Sequence, residues 1–223
     1  MDSVKPIPEI TCPQLLELDK ADLGAIRNAF RAVKSLRFGQ AWAATTPPQF
    51  FSGTASIAWN KTSFLVFAEL EDKDIFTFAR QDGERLWELG DTFEIFLRPI
   101  NQQAYFEFHV ASNNCRLQLH FADVNAAERA GRSRSLDEVI LSGDVLRSRT
   151  WIHPEIQQWF VFAEISAAAM TGQAQPLRGS EWLFSFGRYD YTRSESSPVL
   201  SSTSAHAQLD FHRHHEWLKL QCD

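Results

Sequence analysis

The sequence has no long apolar run. Nothing in it approaches the roughly twenty consecutive apolar residues of a membrane-spanning helix. It also lacks excess positive charge, with 22 Lys and Arg against 28 Asp and Glu and a net charge of −6. Without a basic stripe, neither nucleic acid nor an anionic membrane is an expected partner. Cysteine is scarce, with Cys12, Cys115 and Cys222 widely spaced and odd in number. This excludes a disulfide scaffold and shows no metal-ligand spacing. Three reduced thiols are expected, with one bridge joining the ends through Cys12 and Cys222 as the alternative. There is no phosphate loop, no dinucleotide fingerprint and no nucleophile elbow. The opening MDSVKPIPEI carries neither a basic nor an apolar leader segment, so the chain reads as cytoplasmic as written, or as exported if a leader was removed. No internal repeat and no Gly-, Ser- or Pro-rich linker divides it. A single domain of residues 51–223 is expected, with residues 1–50 as an extension packed on it.

Aromatic residues are plentiful. Eighteen Phe and seven Trp against two Met favour pleated sheet over a helix bundle. One helix is expected early, capped by Asp22 and running through Leu23, Ile26, Ala29, Phe30 and Val33. After it, short alternating runs follow one another: Ala55–Trp59, Phe64–Glu71, Thr92–Arg98, Ala104–Val110, Cys115–Phe121, Gln158–Ile165, Glu181–Tyr191 and Trp217–Gln221. A weaker strand pair is expected between Val139 and Ser148. Trp151–Glu155 reads as irregular, and SESSPVLSSTSAHAQ as a long polar loop. This spacing predicts an all-β fold, an antiparallel β-sandwich of jelly-roll or immunoglobulin-like type, with a short N-terminal helical extension.

The run from Trp87 to Asn114 is the most informative. Side chains in a strand alternate between faces, so Phe93, Ile95 and Leu97 oppose Thr92, Glu94, Phe96 and Arg98. Phe106, Phe108 and Val110 likewise oppose Tyr105, Glu107 and His109. In the third run, Leu117, Leu119 and Phe121 are expected on the greasy side, with Arg116, Gln118 and His120 on the polar one. The polar face could simply be the wet side of an antiparallel sheet. Its carboxylates, guanidinium and phenol beside aromatic rings also suit a neutral polyol, whose hydroxyls pair with planar polar groups and whose C–H face covers a ring.

The order of landmarks extends this reading. Glu71–Ile75 reads E-D-x-D-I, and Trp87 precedes G-D-x-F-E-I-F at Gly90–Phe96. Then come Y-x-E-F-H-V-x-x-N-N at Tyr105–Asn114, W-x-x-x-A-E-I at Trp159–Ile165, W-L-F-S-F-x-R-Y at Trp182–Tyr189 and F-H-x-x-x-x-W-L-K-L at Phe211–Leu220. From about Ser52 onward the chain resembles the family 9 carbohydrate-binding modules and the wider DOMON-like sandwich group. The resemblance implies a non-catalytic, sugar-binding sandwich in which an aromatic pair clamps a terminal sugar. It makes Trp87 one clamp aromatic, Glu94 a hydroxyl acceptor, and the strand of Tyr105, Glu107 and His109 the neighbouring binding strand. The candidate carbohydrate-binding residues are therefore Trp87, Glu94, Arg98, Tyr105, Glu107 and His109. Where relatives often carry an aromatic, this chain has Leu200-Ser201-Ser202-Thr203-Ser204, which leaves the second wall to Trp217, Tyr191 or a loop residue.

Two other classes are open. Glu94 and Glu107 on adjacent strands could act as a glycosidase pair, or form a structural ion cluster with Arg98, Arg116 or Arg188. Alternatively the sandwich is a structural or protein-interaction domain without a ligand. No cofactor is expected. A structural calcium on Asp72, Asp74 and Asp91 is the one ion considered. His212 and His214 would share a strand face as a two-ligand clip, but nothing at a familiar spacing completes it, so an aromatic plug with exposed imidazoles is the expected role.

Overall fold

Alternating runs bury one face each, and here they do so against each other as two stacked sheets. The computed structural model describes residues 7–15, 18–123, 125–127, 135–172 and 177–223. The strands are β1 (Glu9–Cys12), β2 (Ser35–Arg37), β3 (Gly53–Trp59), β4 (Ser63–Glu71), β5 (Thr92–Pro99), β6 (Tyr105–Ala111), β7 (Arg116–Phe121), β8 (Leu146–His153), β9 (Gln158–Ser166), β10 (Glu181–Asp190), β11 (Val199–Ser202) and β12 (Leu218–Cys222). One sheet runs β1-β12-β10-β5-β6-β7, with β11 also paired to β10; the other runs β2-β3-β4-β9-β8. Every pairing is antiparallel except that of β1 with β12. The expected all-β sandwich is the fold observed.

Between the sheets, Phe93, Ile95 and Leu97 of β5 and Phe106, Phe108 and Val110 of β6 meet Phe64, Val66 and Leu70 of β4 and Trp159, Val161 and Ile165 of β9. The outer faces are covered as well. Over the five-stranded sheet lies helix α1 (Leu23–Phe30), whose buried Ile26 and Phe30 pack with Leu65, Phe67, Phe160 and Phe162. Asp22 caps it, its carboxylate accepting the Ala25 N–H at 2.6 Å. The helix stops three residues short of the expected Val33. There the Arg31 and Val33 amides turn to Asn28 and Phe30, and that tight turn still brings Val33 into the core. The N-terminal residues supply an edge strand to each sheet, and Gly39 and Ser202 exchange two backbone hydrogen bonds of 2.9 Å between them.

The outer face of the seven-stranded sheet is not wet. Loop residues Leu86, Ala126, Val139, Phe211 and Trp217 lie over it and form a second apolar cluster with Phe96, Tyr105 and Leu183. This corrects the reading of β7. Register pairs Tyr105 with Phe121, Glu107 with Leu119 and His109 with Leu117, so the apolar residues of β7 share the face of the polar ones on β6. A one-residue change of register exchanges the faces, and here the outer layer takes Leu117, Leu119 and Phe121. Two further expectations also change. Trp151–His153 belongs to β8, a half-buried edge strand, and β11 forms inside the polar loop by pairing with β10. Of the weak pair between Val139 and Ser148, an isolated bridge from Ile140 to Leu119 and the start of β8 form.

The loop bearing Trp87 is folded onto β5 by a bridge between Thr77 and Gly90. Gly90 has φ of +147°, and a Cβ there would stand 2.5 Å from the Phe76 carbonyl oxygen and 2.5 Å from Thr77 Cα. Both obstacles are backbone, so neither can swing aside. Gly90→Ala should therefore cost about 2 kcal/mol or more, read as a lower midpoint at constant m in urea unfolding. A loss below about 0.5 kcal/mol would show that this close approach is not needed.

Candidate functional site

Glu94 on β5 and His109 on β6 are register partners, with Glu107 two residues back on the same face as His109. The imidazole of His109, fully buried, lies between the two carboxylates. Its Nε2 is 2.5 Å from Glu107 Oε1, and its Nδ1 is 3.1 Å from Glu94 Oε1. Burial and then the charge of Glu107 push the Glu94 carboxyl well above its usual range. Burial also works to raise Glu107, but the neighbouring His109 and His212 outweigh it and hold that carboxyl below its ordinary value. Two chemically identical groups are thus pushed apart, Glu94 towards the protonated form that can donate and Glu107 towards the carboxylate that only accepts.

Both acids line a cavity of about 300 Å³. Trp87, half-buried on the turn Leu86–Glu88, stands beside them with its ring 5.2 Å from that of His109. The Arg85 guanidinium covers the Trp87 ring at 5.0 Å, and the Tyr191 hydroxyl donates to the Trp87 carbonyl at 2.6 Å. Phe96, Phe121, Tyr189 and Phe211 supply the apolar lining, and Asp210 and His212 the rest of the polar one. Gly187 makes room here, since a Cβ on it would meet Glu94 Oε2 and Phe211 at 2.9 Å. Glu107 Oε2 is buried without a hydrogen-bond partner, the nearby His212 Nδ1 being 3.8 Å away.

The six candidates divide. Trp87, Glu94 and Glu107 reach the cavity. His109 lies behind the two acids and joins them. Tyr105 is buried, and its hydroxyl meets His212 Nδ1 at 2.8 Å. Arg98 lies away from the cavity, donating to the Gln102 carbonyl at 2.7 Å and meeting His214 Nδ1 at 2.5 Å. Burial, then Arg98, lowers His214 to about 4, leaving it a neutral acceptor for that guanidinium. The expected open wall of polar residues is therefore corrected to a covered face with one opening.

None of the three arginines pairs with the glutamates. Arg116 binds Asp82, Arg98 binds His214, and Arg188 belongs to another cluster. Trp217 is fully buried and Tyr191 braces Trp87 from its backbone, so neither lines the cavity as a second wall. His212 and His214 do not form a strand clip either, since one meets Tyr105 and the other Arg98. The residues that sequence reasoning missed are Tyr189, Asp210, Phe211 and His212. For Phe211 and His212 the one signal was the aromatic and imidazole content of FHRHHEW.

A second acidic group fastens the Trp87 loop to the sandwich. Asp72, Asp91 and Asp190, all buried, bring carboxylate oxygens within 4.8 Å of one another. Asp91 accepts the Phe76 N–H at 2.5 Å and the Tyr191 N–H at 2.9 Å. The fully buried Arg188 enters from β10, its Nη2 3.0 Å from Asp190 and 3.6 Å from Asp72. That nitrogen also donates to the Glu71 carbonyl at 2.5 Å, and Nη1 reaches the Phe51 and Ser52 carbonyls at 3.3 Å. Burial, then Asp72, raises Asp91 to about 8; burial raises Asp190 to about 7. Asp74 turns to Arg193. Asp72 Oδ2 is buried without a hydrogen-bond partner.

No protein-family profile matches the chain, and no curated protein resembles it in sequence. Solved structures do match. A Bacteroides uniformis protein described as carbohydrate-binding has a TM-score of 0.77 at 13% identity, over 98% of this chain and 100% of that one. A family 9 carbohydrate-binding module from Caldicellulosiruptor kristjanssonii, in complex with cellotriose, has a TM-score of 0.65 at 16% identity, over 96% and 93%. The same module with glucose gives 0.65 and 16%, over 96% and 95%. The fold is thus family 9 carbohydrate-binding-module-like along nearly the whole chain.

Proposed function

We propose that this chain is a non-catalytic carbohydrate-binding protein that takes a small sugar unit into the cavity beside Trp87. The observation that carries this is Glu107 Oε2, a buried acceptor at the cavity with no hydrogen-bond partner. Leaving such a group unmet is costly, and a hydroxyl of a polyol satisfies it. Glu94, pushed towards its protonated form, offers a donor to a second oxygen, and Trp87 offers a ring to the sugar's C–H face. The volume lies at the small end of ligand pockets, which suits one or two sugar rings. The structural neighbours crystallised with glucose and cellotriose support the same ligand class.

Binding rather than turnover follows from how the acids are held. Glycosidase carboxyls flank an open gap that holds the scissile bond. Here both glutamates lie against the same imidazole, Glu107 hydrogen-bonded to its Nε2 and Glu94 3.1 Å from its Nδ1, which keeps them together on one side.

With Trp87 as the stacking ring the site should be weak, with Kd about millimolar. Trp87→Ala removes a contact worth about 1–2 kcal/mol, raising Kd roughly five- to thirtyfold. Titration of wild type and variant with mono- and oligosaccharides, followed by amide chemical shifts, reads this directly. Should the wild type bind no glycan across a broad panel, the proposal fails.

A further inference from the structure

Strands β1 and β12 pair in parallel at one edge of the seven-stranded sheet, in a register that sets Cys12 opposite Cys222. Both side chains are fully buried in the inter-sheet core, and both thiols are free. The two thiols thus face each other from neighbouring strands within one core cluster. Neighbouring strands lie about 4.8 Å apart, within the roughly 4.4–6.8 Å of Cα separation that a disulfide spans. The third cysteine, Cys115, precedes β7 at the opposite edge of the same sheet, too far to compete. Two core thiols placed face to face are more than hydrophobic filler, because any aliphatic pair would fill that volume.

We propose that Cys12 and Cys222 are a disulfide-forming site that covalently closes the two ends of the chain on one another. The path to it is β1 itself, an edge strand of four residues whose only ladder among the described residues is with β12. Short edge elements open at lower free energy than the core, and opening this one exposes both sulfurs. The oxidant is a low-molecular-weight disulfide. Cys222 is the attacking thiol, since the facing Cys12 thiol holds it below its ordinary value, while burial pushes Cys12 up. Its thiolate attacks one sulfur of the oxidant, forming a mixed disulfide and releasing one small thiol. Cys12 then gives up its proton and attacks the Cys222 sulfur, releasing the second small thiol. Two protein thiols and one small disulfide become one protein disulfide and two small thiols. The bond ties positions 12 and 222 and so restricts nearly the whole unfolded chain.

The test uses the full chain with Cys115→Ser, equilibrated in oxidised and in reduced glutathione, then denatured and alkylated. The expected result after oxidation is no alkylatable thiol, a mass lower by two hydrogen atoms, and a Tm raised by roughly 4–16 °C over the reduced protein. Adding Cys12→Ala or, separately, Cys222→Ala should abolish the mass loss and the rise, so poor folding of one control leaves the other. Two alkylated thiols, or only glutathione adducts, after both oxidation of the folded protein and refolding in the oxidising buffer would overturn the proposal.

Discussion

Arg188→Met should lower stability by roughly 3–5 kcal/mol, a fall in Tm of roughly 6–20 °C for a chain of this length. The side chain is fully buried at the end of the sandwich and is the cation beside Asp72 and Asp190. Methionine fills much of the volume but leaves both carboxylates, and three carbonyls that accepted from the guanidinium, without that donor. The asymmetry decides the size, because breaking a buried pair costs far more than the pair contributes. The loss should also depend on pH. Asp91 and Asp190 already have folded values of about 8 and about 7, above those of an unfolded chain. A group raised in this way contributes stability that is full below its unfolded value of about 3.8 and is lost as pH climbs through the folded one. Removing Arg188 takes away what restrained Asp190, so the deficit should be larger at pH 8 than at pH 5. Adding Asp72→Asn and Asp190→Asn should recover part of it. Urea unfolding at both pH values measures all of this, and a deficit under about 1 kcal/mol at pH 8 would mean the carboxylates are compensated from elsewhere.

Much of this fold was legible because period-two alternation is a direct consequence of strand geometry. The inward sets on β4, β5, β6 and β9 are those the sequence pattern predicts. It fails at β7 for a physical reason. Alternation tells which residues share a face but not which face meets the larger core. Where both sheet faces are covered, an apolar set can belong to either layer. Leu117, Leu119 and Phe121 went to the outer one. Edge strand β8 was hidden differently. Its Arg147 and Arg149 are exposed and Ser148 and Thr150 only half-buried, and so they look like loop.

The site was half legible. Trp87, Glu94 and Glu107 sit within one hairpin and its preceding loop, where local spacing suffices to group them. His212 and Phe211 come from about a hundred residues later, and only tertiary packing brings them to the same opening. Register also had to be seen. Pairing Glu94 with His109, rather than with a residue one step away, puts an imidazole between the acids where an arginine was expected. Arg188, one of those arginines, closes the inward-facing set of β10 and reads as a lone charge among aromatics until the aspartates at the sandwich end are placed around it.

His109→Ala should cost roughly 3 kcal/mol near pH 8, and the loss should shrink as pH falls. The ring is fully buried, and removing it does two separable things. It opens a void against Trp87, whose ring lies 5.2 Å away, at a cost of about 1–2 kcal/mol that does not vary with pH. It also removes the group that meets both Glu94 and Glu107. In the wild type Glu107 lies below its ordinary value, so its contribution is present above about pH 4.5 and is lost as pH falls. In the variant burial acts with only His212 to oppose it, and Glu107 joins Glu94 among the raised groups. The sign then reverses. The contribution is present below about pH 4.5 and lost on the way up, as two like charges are forced together in a dry site. The deficit should therefore fall towards the void's about 1–2 kcal/mol near pH 5 and grow by pH 8, with Glu107→Gln on the variant background removing the pH-dependent part at the alkaline end. A deficit equal at both ends would reduce His109 to a space-filling ring and leave the division of the two carboxyls into donor and acceptor without its cause.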